Sequence, residues 1–316
     1  MYIWTTLFHI LVFPGLLFVA IIGLLLAGID RKVLARMQKR VGPPIIQPFY
    51  DFFKLMGKET IIPNAANRVA FMAAPVVGFV SLVVMMLFIP VFGFSAFSGS
   101  ADLIVILYLL TIPAVALIVG GSASGSPYAG IGISREMVTM MSYELPLIVV
   151  MLAVARTVGG ESLCFSLQDI VAWQATNGCA ISHISLIPAA LAMLLVIPAE
   201  VGTQPFDVAE AETEICEGPL VEYSGAPLAM FKLNTAMKMF IMTALFTCLF
   251  LGGIDTGIVA LNAVILVAIC IGLTVLCMTT IHAVTARLKI EHLFKFYWTI
   301  VAGLAFVSLI LAWMGL

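Results

Sequence analysis

Eight stretches of about 20 apolar residues dominate this 316-residue sequence. A helix of about 20 apolar residues is long enough to cross the hydrocarbon core of a bilayer. No internal repeat, alternating strand pattern or separate soluble domain stands out. We therefore predict an all-α polytopic membrane protein, with residues 1–316 forming a single integral membrane domain. The eight predicted transmembrane helices are 3–27, 69–92, 102–121, 137–157, 180–198, 228–252, 257–283 and 295–315.

The composition excludes several other classes. Hydrophobic residues make up 62% of the chain and charged residues only 10%, against about 25% charged in a typical soluble domain. An ordinary soluble enzyme, a disordered protein and a nucleic-acid-binding protein are thereby excluded. No Lys or Arg precedes the first apolar run, so we expect a retained helix there and not a cleaved signal.

The basic residues predict the orientation in the membrane. Fourteen of the 15 Lys and Arg residues fall on one side of the predicted helices, and only Arg156 falls on the other. Positive residues accumulate on the cytoplasmic side. An even number of helices then places both termini outside, and it directs the two long polar segments, 28–68 and 199–227, to the cytoplasm.

The first polar segment, 28–68, is basic and amphipathic. Val33, Met37 and Val41 recur every four residues opposite a basic face. A second short helix is predicted near Pro48, with one apolar face formed by Phe49, Phe52, Phe53 and Met56. Such helices either lie on the membrane surface, held by aromatic side chains and anionic lipid, or form a docking platform for a peripheral subunit.

The second polar segment, 199–227, carries seven acidic and no basic residues between 200 and 222. Pro205 can open a short helix that Gly218 and Pro219 close. That helix would place a single acidic stripe along one face, formed by Asp207, Glu210, Glu214 and Glu217. The segment is either a solvated loop face or, if partly buried, a proton relay, because clustered carboxylates in a low dielectric acquire raised, coupled pKa values.

Two charges lie deep in apolar runs. Glu144 follows Tyr143 and precedes Pro146; it is either a snorkelling interfacial residue or a functional intramembrane carboxylate. Lys238 lies about two turns deeper than Lys232 and is the better intramembrane candidate of the two. Glu136 is expected to pair with its neighbour Arg135.

The six cysteines and four histidines show no metal-ligand spacing. We expect the cysteines to be buried packing residues. No phosphate-binding glycine loop is present, so the chain itself is expected to bind no metal or other cofactor.

Four stretches together resemble the respiratory complex I subunit 1 family, which includes counterparts in energy-converting membrane-bound [NiFe] hydrogenases. They are 30–59, 142–144, 205–214 with 222–225, and 286–291. The stretch 42–47 is shorter than in quinone-reducing members. It is similar to the Ech-type and CO-induced hydrogenase subunits, as is the stretch 293–298.

The resemblance implies a non-catalytic membrane subunit of a ferredoxin-dependent [NiFe] hydrogenase complex, in the cytoplasmic membrane of a bacterium or archaeon. It would anchor a peripheral redox arm and couple hydrogen evolution or uptake to proton or sodium translocation. Its implied partners are hydrogenase large and small subunits, a ferredoxin-like subunit and an antiporter-like membrane subunit. The [NiFe] centre and [4Fe-4S] clusters would lie in those partners. The alternatives are the quinone-site subunit of NADH dehydrogenase (complex I), a related sulfur-reducing complex, and a bare anchor or stand-alone transporter.

Charge and resemblance together assign two sets of site residues. The predicted proton relay comprises Tyr143, Glu144, Glu200, Asp207, Glu210, Glu212, Glu214, Glu222 and Lys238. The predicted docking face for the peripheral arm comprises Arg31, Arg36, Lys39, Arg40, Gln47, Asp51, Lys54 and Lys58. Many complex I members carry a Glu-Tyr pair where this chain has Thr235 and Ala236, so Lys238 is expected to serve nearby.

Overall fold

The computed structural model describes residues 2–91, 97, 102–160, 162–253 and 259–315, and within them the regular structure is helical. The side chain of Glu212 lies outside what is described. The α-helices are α1 Tyr2–Leu11, α2 Leu16–Met37, α3 Gln47–Met56, α4 Arg68–Phe88, α5 Asp102–Ala123, α6 Pro127–Gly159, α7 Leu167–Asn177, α8 Ile187–Val201, α9 Glu212–Ile215, α10 Gly225–Phe250, α11 Val259–Thr274, α12 Thr280–Val284, α13 Ile290–Phe296 and α14 Ala302–Met314.

Eight helical spans in the described residues are long and apolar enough to cross a membrane, which confirms the predicted number. They are Leu7–Met37, Arg68–Phe88, Asp102–Ala123, Pro127–Gly159, Ile184–Val201, Gly225–Phe250, Leu261–Val284 and Ile290–Met314. Single π-helical turns, Val275–Thr279 and Tyr297–Val301, lie inside the last two. The predicted helix ends at 92 and 257 lie outside the described residues.

The first span differs from the uninterrupted helix predicted at 3–27. Helix α1 ends at Leu11 and α2 begins at Leu16. Pro14 lies between them, and proline has no N–H with which to continue a helix. Beyond residue 27, α2 continues to Met37, so the predicted amphipathic extension belongs to the same helix.

Helix α10 lies at the centre of the molecule. It packs against α2, α3, α4, α8 and α11, and all of its residues from Ala236 to Phe250 are buried. Gly23 of α2 allows one of these contacts, since a Cβ atom there would lie 2.6 Å from the carbonyl oxygen of Ala236. Small residues of this kind let membrane helices approach closely.

A proline inside α4 ties this helix to the acidic segment. Pro75 has no N–H, so the carbonyl of Phe71, one turn earlier, has no helical donor. The buried Tyr223 hydroxyl donates to that carbonyl at 3.0 Å. The Tyr223 ring also stacks on the Phe71 ring, with centroids 4.0 Å apart. Burial raises the pKa of Tyr223, so this donor keeps its proton at physiological pH.

The short helix α3 starts close to the predicted position, but only half of its predicted apolar face is packed against the core. Phe49 and Phe52 pack against the core formed with α2 and α10. Phe53 and Met56 remain exposed. The helix is therefore held by protein contacts and does not rest on a membrane surface by its aromatic face alone.

The predicted acidic helix from Pro205 to Gly218 is wrong. Helix α8 extends to Val201 and ends at Gly202, whose φ of 77° is the left-handed conformation that favours glycine at a helix C-terminus. Turns follow, and only α9 is helical before the short 3₁₀ turn Gly218–Leu220. The described residues of this segment form no single acidic stripe, which agrees with the repulsion expected between like charges at helical spacing.

Candidate functional site

A polar chamber of about 60 Å³ lies between α5, α6, α8, α10 and the turns after α8. One water needs roughly 10–15 Å³ of such space, so the chamber has room for several. We call it the carboxylate chamber. Its polar lining consists of Glu136, Thr139, Glu200, Asp207, Glu210, Asn234, Thr235 and Lys238.

Glu200 of α8 and Lys238 of α10 form a buried ion pair in the wall of the chamber. The Lys238 Nζ lies 2.6 Å from the Glu200 Oε1, and the two side chains are 9% and 3% exposed, respectively. Glu200 lies in helix α8, and not in the polar loop predicted from its sequence position. Burying two charges is costly, and close pairing offsets much of that cost.

Tyr143 and Glu144 of α6 lie beside this pair. The buried Tyr143 side chain lies against the Glu200 carboxylate. Glu144 is half-buried, outside the chamber wall, and within electrostatic range of Glu200 and Lys238. The structure thus brings four of the predicted relay residues together inside the membrane-spanning helices.

Glu210 occupies the loop wall of the chamber. Burial raises the pKa of its carboxyl to about 7, assisted by the negative charges of Glu136, Asp207 and Glu217, while Lys232 acts in the opposite direction. A carboxyl with a pKa near 7 is not held permanently in one protonation state at physiological pH. It can therefore accept or release a proton under physiological conditions.

Two other acidic residues of the segment are held by arginines that are distant in sequence, one in α6 and one in the loop before α13. Both carboxylate oxygens of Asp207 accept hydrogen bonds from Arg287, the shortest at 2.8 Å. Glu214 accepts from Arg135 at 2.6 Å and is 59% exposed. Arg135 thus pairs with Glu214 and not with Glu136, which corrects the prediction. Glu222 is half-buried and lies outside the chamber lining.

Asn234 completes the wall on α10. Its Nδ2 donates to the carbonyl of Pro75 at 3.2 Å. Its Oδ1 is buried and has no protein partner among the described residues. A chamber water could satisfy that oxygen, because buried polar groups are almost always hydrogen-bonded.

Four polar residues of the chamber lining were not assigned to the site from the sequence: Glu136, Thr139, Asn234 and Thr235. Glu136, Thr139 and Tyr143 are spaced i, i+3, i+7 along α6 and therefore share one helix face. This polar stripe could have assigned Glu136 to the interior. Asn234 had no comparable signal, because its role depends on α4 and α5 lying alongside α10.

The predicted docking residues lie together around α3 and the end of α2. Arg31 and Asp51 pair at 2.8 Å, and Gln47 donates to the other Asp51 oxygen at 3.0 Å. Burial alone would raise the pKa of Asp51, but Arg31, Gln47 and Lys232 bring it below the usual range. Arg36, Lys39, Arg40, Lys54 and Lys58 are exposed.

Within the described residues, no group of three His, Cys, Asp or Glu side chains is placed to hold a metal ion. The expectation that this chain binds no cofactor stays a prediction.

Comparison with known proteins places the chain in a class of membrane-complex subunits. Over 228 residues it is 36% identical to hydrogenase-4 component C of Escherichia coli, covering 72% of this chain and 70% of that protein. It is 31% identical over 317 residues to an NADH-quinone oxidoreductase subunit of Anaplasma marginale, covering 91% and 89%. A chain of the archaeal membrane-bound sulfane sulfur reductase superposes with a TM-score of 0.88 at 29% identity, covering 99% of this chain and 100% of that one.

The fold is that of a multi-pass helical membrane protein, and the relatives it resembles are membrane subunits of oxidoreductase complexes. Residues 9–313 match the NADH dehydrogenase family, and the chain belongs to that family. The predicted resemblance is confirmed at this level. The finer assignment to the Ech-type hydrogenase branch stays a prediction.

Proposed function

We propose that this chain is the coupling subunit of a ferredoxin-dependent, energy-converting [NiFe] hydrogenase complex. It would bind the peripheral redox arm on the side predicted to be cytoplasmic and convert the redox reaction there into movement of protons or sodium ions. The observation that carries the proposal is the carboxylate chamber, which joins the acidic segment to a buried ion pair inside the helices.

The chamber supports a relay with a surface end and a membrane end. Glu210, with a pKa of about 7, would exchange protons with the arm. A water in the chamber, held by Asn234, would pass the proton towards Glu200. Protonation of Glu200 would release Lys238 from its ion pair and present charge to Tyr143 and Glu144 on α6. From there the signal would pass to the antiporter-like partner.

The docking face would consist of the basic residues around α3 together with the acidic segment. Arg31, Arg36, Lys39, Arg40, Lys54 and Lys58 give this face a positive charge that favours acidic surfaces of a partner. The arm would supply the [NiFe] centre and [4Fe-4S] clusters, and electrons would remain there.

Pumping measurements on glutamine variants test the relay. We expect Glu200→Gln and Glu210→Gln to retain hydrogen evolution from reduced ferredoxin while losing most of the coupled ion translocation in proteoliposomes. Glu291→Gln, which removes an exposed carboxylate on the same predicted side, is the matched control. Unchanged translocation in both chamber variants would exclude the relay.

A second pair of variants separates the membrane end from the surface end. Glu144→Gln should reduce translocation, because its side chain lies within electrostatic range of the buried pair. Glu214→Gln removes an exposed partner of Arg135, so a smaller effect is expected. Full coupling in both variants would remove these two residues from the relay.

The sulfane sulfur reductase complex is a second candidate, favoured by the match over almost the whole chain. The quinone-site role is a third, favoured by the similarity to the NADH-quinone oxidoreductase relative. The subunits that co-purify with this chain decide among them. Nickel in stoichiometric amount in the purified complex is expected for the hydrogenase, and its absence with retained sulfur or quinone reduction would overturn that assignment.

A further inference from the structure

The lysine of the buried ion pair has a second carboxylate within its electrostatic range. Glu136 of α6 and Lys238 of α10 both line the carboxylate chamber. Helix α6 packs on α8, and α8 packs on α10, so the two side chains reach the chamber from different helices. The charge of Lys238 acts on the Glu136 carboxyl more strongly than the charge of Glu200 does.

Glu136 has no ion-pair partner of its own among the described residues. Its neighbour Arg135 does not line the chamber. That arginine pairs with Glu214 and donates to the carbonyl of Val208 at 3.3 Å. A carboxylate without its own counter-ion, at the wall of a low-dielectric chamber, is stabilised by any cation that approaches it.

Lys238 needs a counter-charge at all times, because its side chain is only 9% exposed. An uncompensated charge in such a place is strongly destabilising. When Glu200 takes up a proton, as in the proposed relay, Lys238 loses its present partner. Its ammonium group must then meet another acceptor in the chamber, or it remains buried without a partner.

Asn234 supplies a neutral acceptor on the same side of α10. It lies four residues before Lys238, so the two side chains share one helix face. The Asn234 Oδ1 is buried, and it has no protein partner among the described residues. An ammonium group that left Glu200 could therefore meet an amide oxygen as well as a carboxylate in the same chamber.

Two other carboxylates are less suitable partners for this lysine. Glu144 lies outside the chamber wall, and the charge that acts on it most strongly is that of Glu200. Glu210 lies on the loop wall, and the cation that acts on its carboxyl is Lys232. Of the three carboxylates, only the chamber-lining one on α6 has Lys238 as its strongest charged neighbour.

We propose that Glu136 is a further relay residue, the second partner to which Lys238 moves when Glu200 is protonated. The proton stays on Glu200, the ammonium group keeps its own protons, and one positive charge moves across the chamber from α8 to α6. Release of the proton from Glu200 returns Lys238 to its first partner. The role of this movement rests on the proposed relay, but the second position of Lys238 can be tested without any pumping measurement.

The position of Lys238 in a Glu200→Gln variant tests the proposal directly. Glutamine imitates a protonated carboxyl. We expect cryo-electron microscopy of the complex, purified with its co-purifying subunits, to show the Lys238 Nζ within hydrogen-bond distance of the Glu136 carboxylate. In the unsubstituted complex at the same pH, Lys238 should lie on Glu200. A Lys238 side chain that keeps its position in the variant, or that turns to Glu144, would overturn the proposal.

Thermal unfolding of paired variants gives an independent test. Glu136→Gln should lower the unfolding midpoint more in the Glu200→Gln background than in the unsubstituted chain, because Lys238 then lacks both of its partners. Glu144→Gln is the matched control, and its effect should be the same in both backgrounds. Equal effects of Glu136→Gln in the two backgrounds would refute the second pairing, as would a larger background effect for Glu144→Gln.

A variant that does not fold also gives an answer. If Glu200→Gln fails to fold while Glu200→Gln/Lys238→Met folds, Lys238 has no second partner and the proposal is wrong.

A conservative substitution tests the role of Glu136 in coupling. Glu136→Gln should lower the number of ions translocated per hydrogen evolved, and Glu136→Asp, which keeps a carboxylate, should restore part of it. Equal losses in the two variants would show that Glu136 acts only through packing, against the proposal. Lys238 beside Glu136 in a Glu200→Gln complex with normal translocation would support the second pairing while excluding the relay.

Discussion

Glu200 and Lys238 form the most buried ion pair among the described residues, whereas Arg31 and Asp51 form the most exposed at 48% and 41% side-chain exposure. The loss of folding free energy on breaking an ion pair depends on whether the pair is buried or exposed. Removal of one partner from a buried pair leaves an uncompensated charge, at a cost of about 3–5 kcal/mol. Exposed pairs contribute about 0–1 kcal/mol.

Lys238→Met should therefore lower the thermal stability of the detergent-solubilised protein strongly. The double variant Lys238→Met/Glu200→Gln should recover most of the loss, because no buried charge is then left. Arg31→Gln is the control for an exposed pair and should change the midpoint little. Equal midpoints for the Lys238 and Arg31 variants would contradict the burial of this pair.

Glu210 gives a prediction for pH dependence. Its pKa is raised from 4.5 to about 7, so the folded protein binds more protons than the unfolded protein within this window. The contribution of Glu210 to stability consequently falls as pH rises from about 4.5 to 7. Difference infrared spectra should show a protonated carboxyl band that disappears near pH 7. Glu210→Gln should remove this band and Glu291→Gln should not; a band that persists in the Glu210 variant would refute the assignment.

At the scale of elements, the sequence predicted those helices whose stability depends on local apolar pattern. The eight apolar runs in the sequence correspond to eight helical spans in the structure, and α3 begins one residue before Pro48. The acidic segment could not be predicted in this way. Its path depends on Arg135 and Arg287, which lie in other helices and loops and pair with Glu214 and Asp207.

The contact between Tyr223 and Phe71 gives a prediction at this scale. Tyr223→Phe leaves the Phe71 carbonyl without a donor, since Pro75 supplies none, and should cost about 1–3 kcal/mol. Tyr297→Phe is the matched control. It removes a hydroxyl bonded to the Leu195 carbonyl, which retains the helical N–H of Ala199 as donor. Thermal unfolding should show the larger loss for Tyr223, and the reverse order would contradict this account.

At the scale of the whole molecule, the fold class could be predicted because bilayer thickness fixes helix length. The site could be predicted only in part. Glu200 and Lys238 were both named from the sequence, but their pairing depends on how α8 packs against α10. Glu136 and Asn234 belong to the same site because α5 and α6 form further walls of the chamber. Long-range packing of this kind leaves little trace in one sequence.

The orientation predicted from the basic residues gives a whole-molecule test. Alkaline phosphatase fused after residue 315 should be active, because the C-terminus is expected outside. The same reporter inserted near Gly57, in the exposed turn after α3, should be inactive, and a fluorescent protein at either position should give the opposite pattern. Activity at Gly57 would reverse the topology.

The central position of α10 also bears on how the protein is made. At a mean hydropathy of 1.5, against 1.9–2.9 for the other spans, it is the least apolar span in the described residues, and it carries Lys238. A lysine at mid-span raises the cost of entering lipid by about 2.5–3.5 kcal/mol. Five spans precede α10 in the order of synthesis, including α2, α4 and α8, which pack around it. When α10 leaves the ribosome, α2, α4 and α8 precede it into the membrane, and the Glu200 of α8 is available to pair with Lys238.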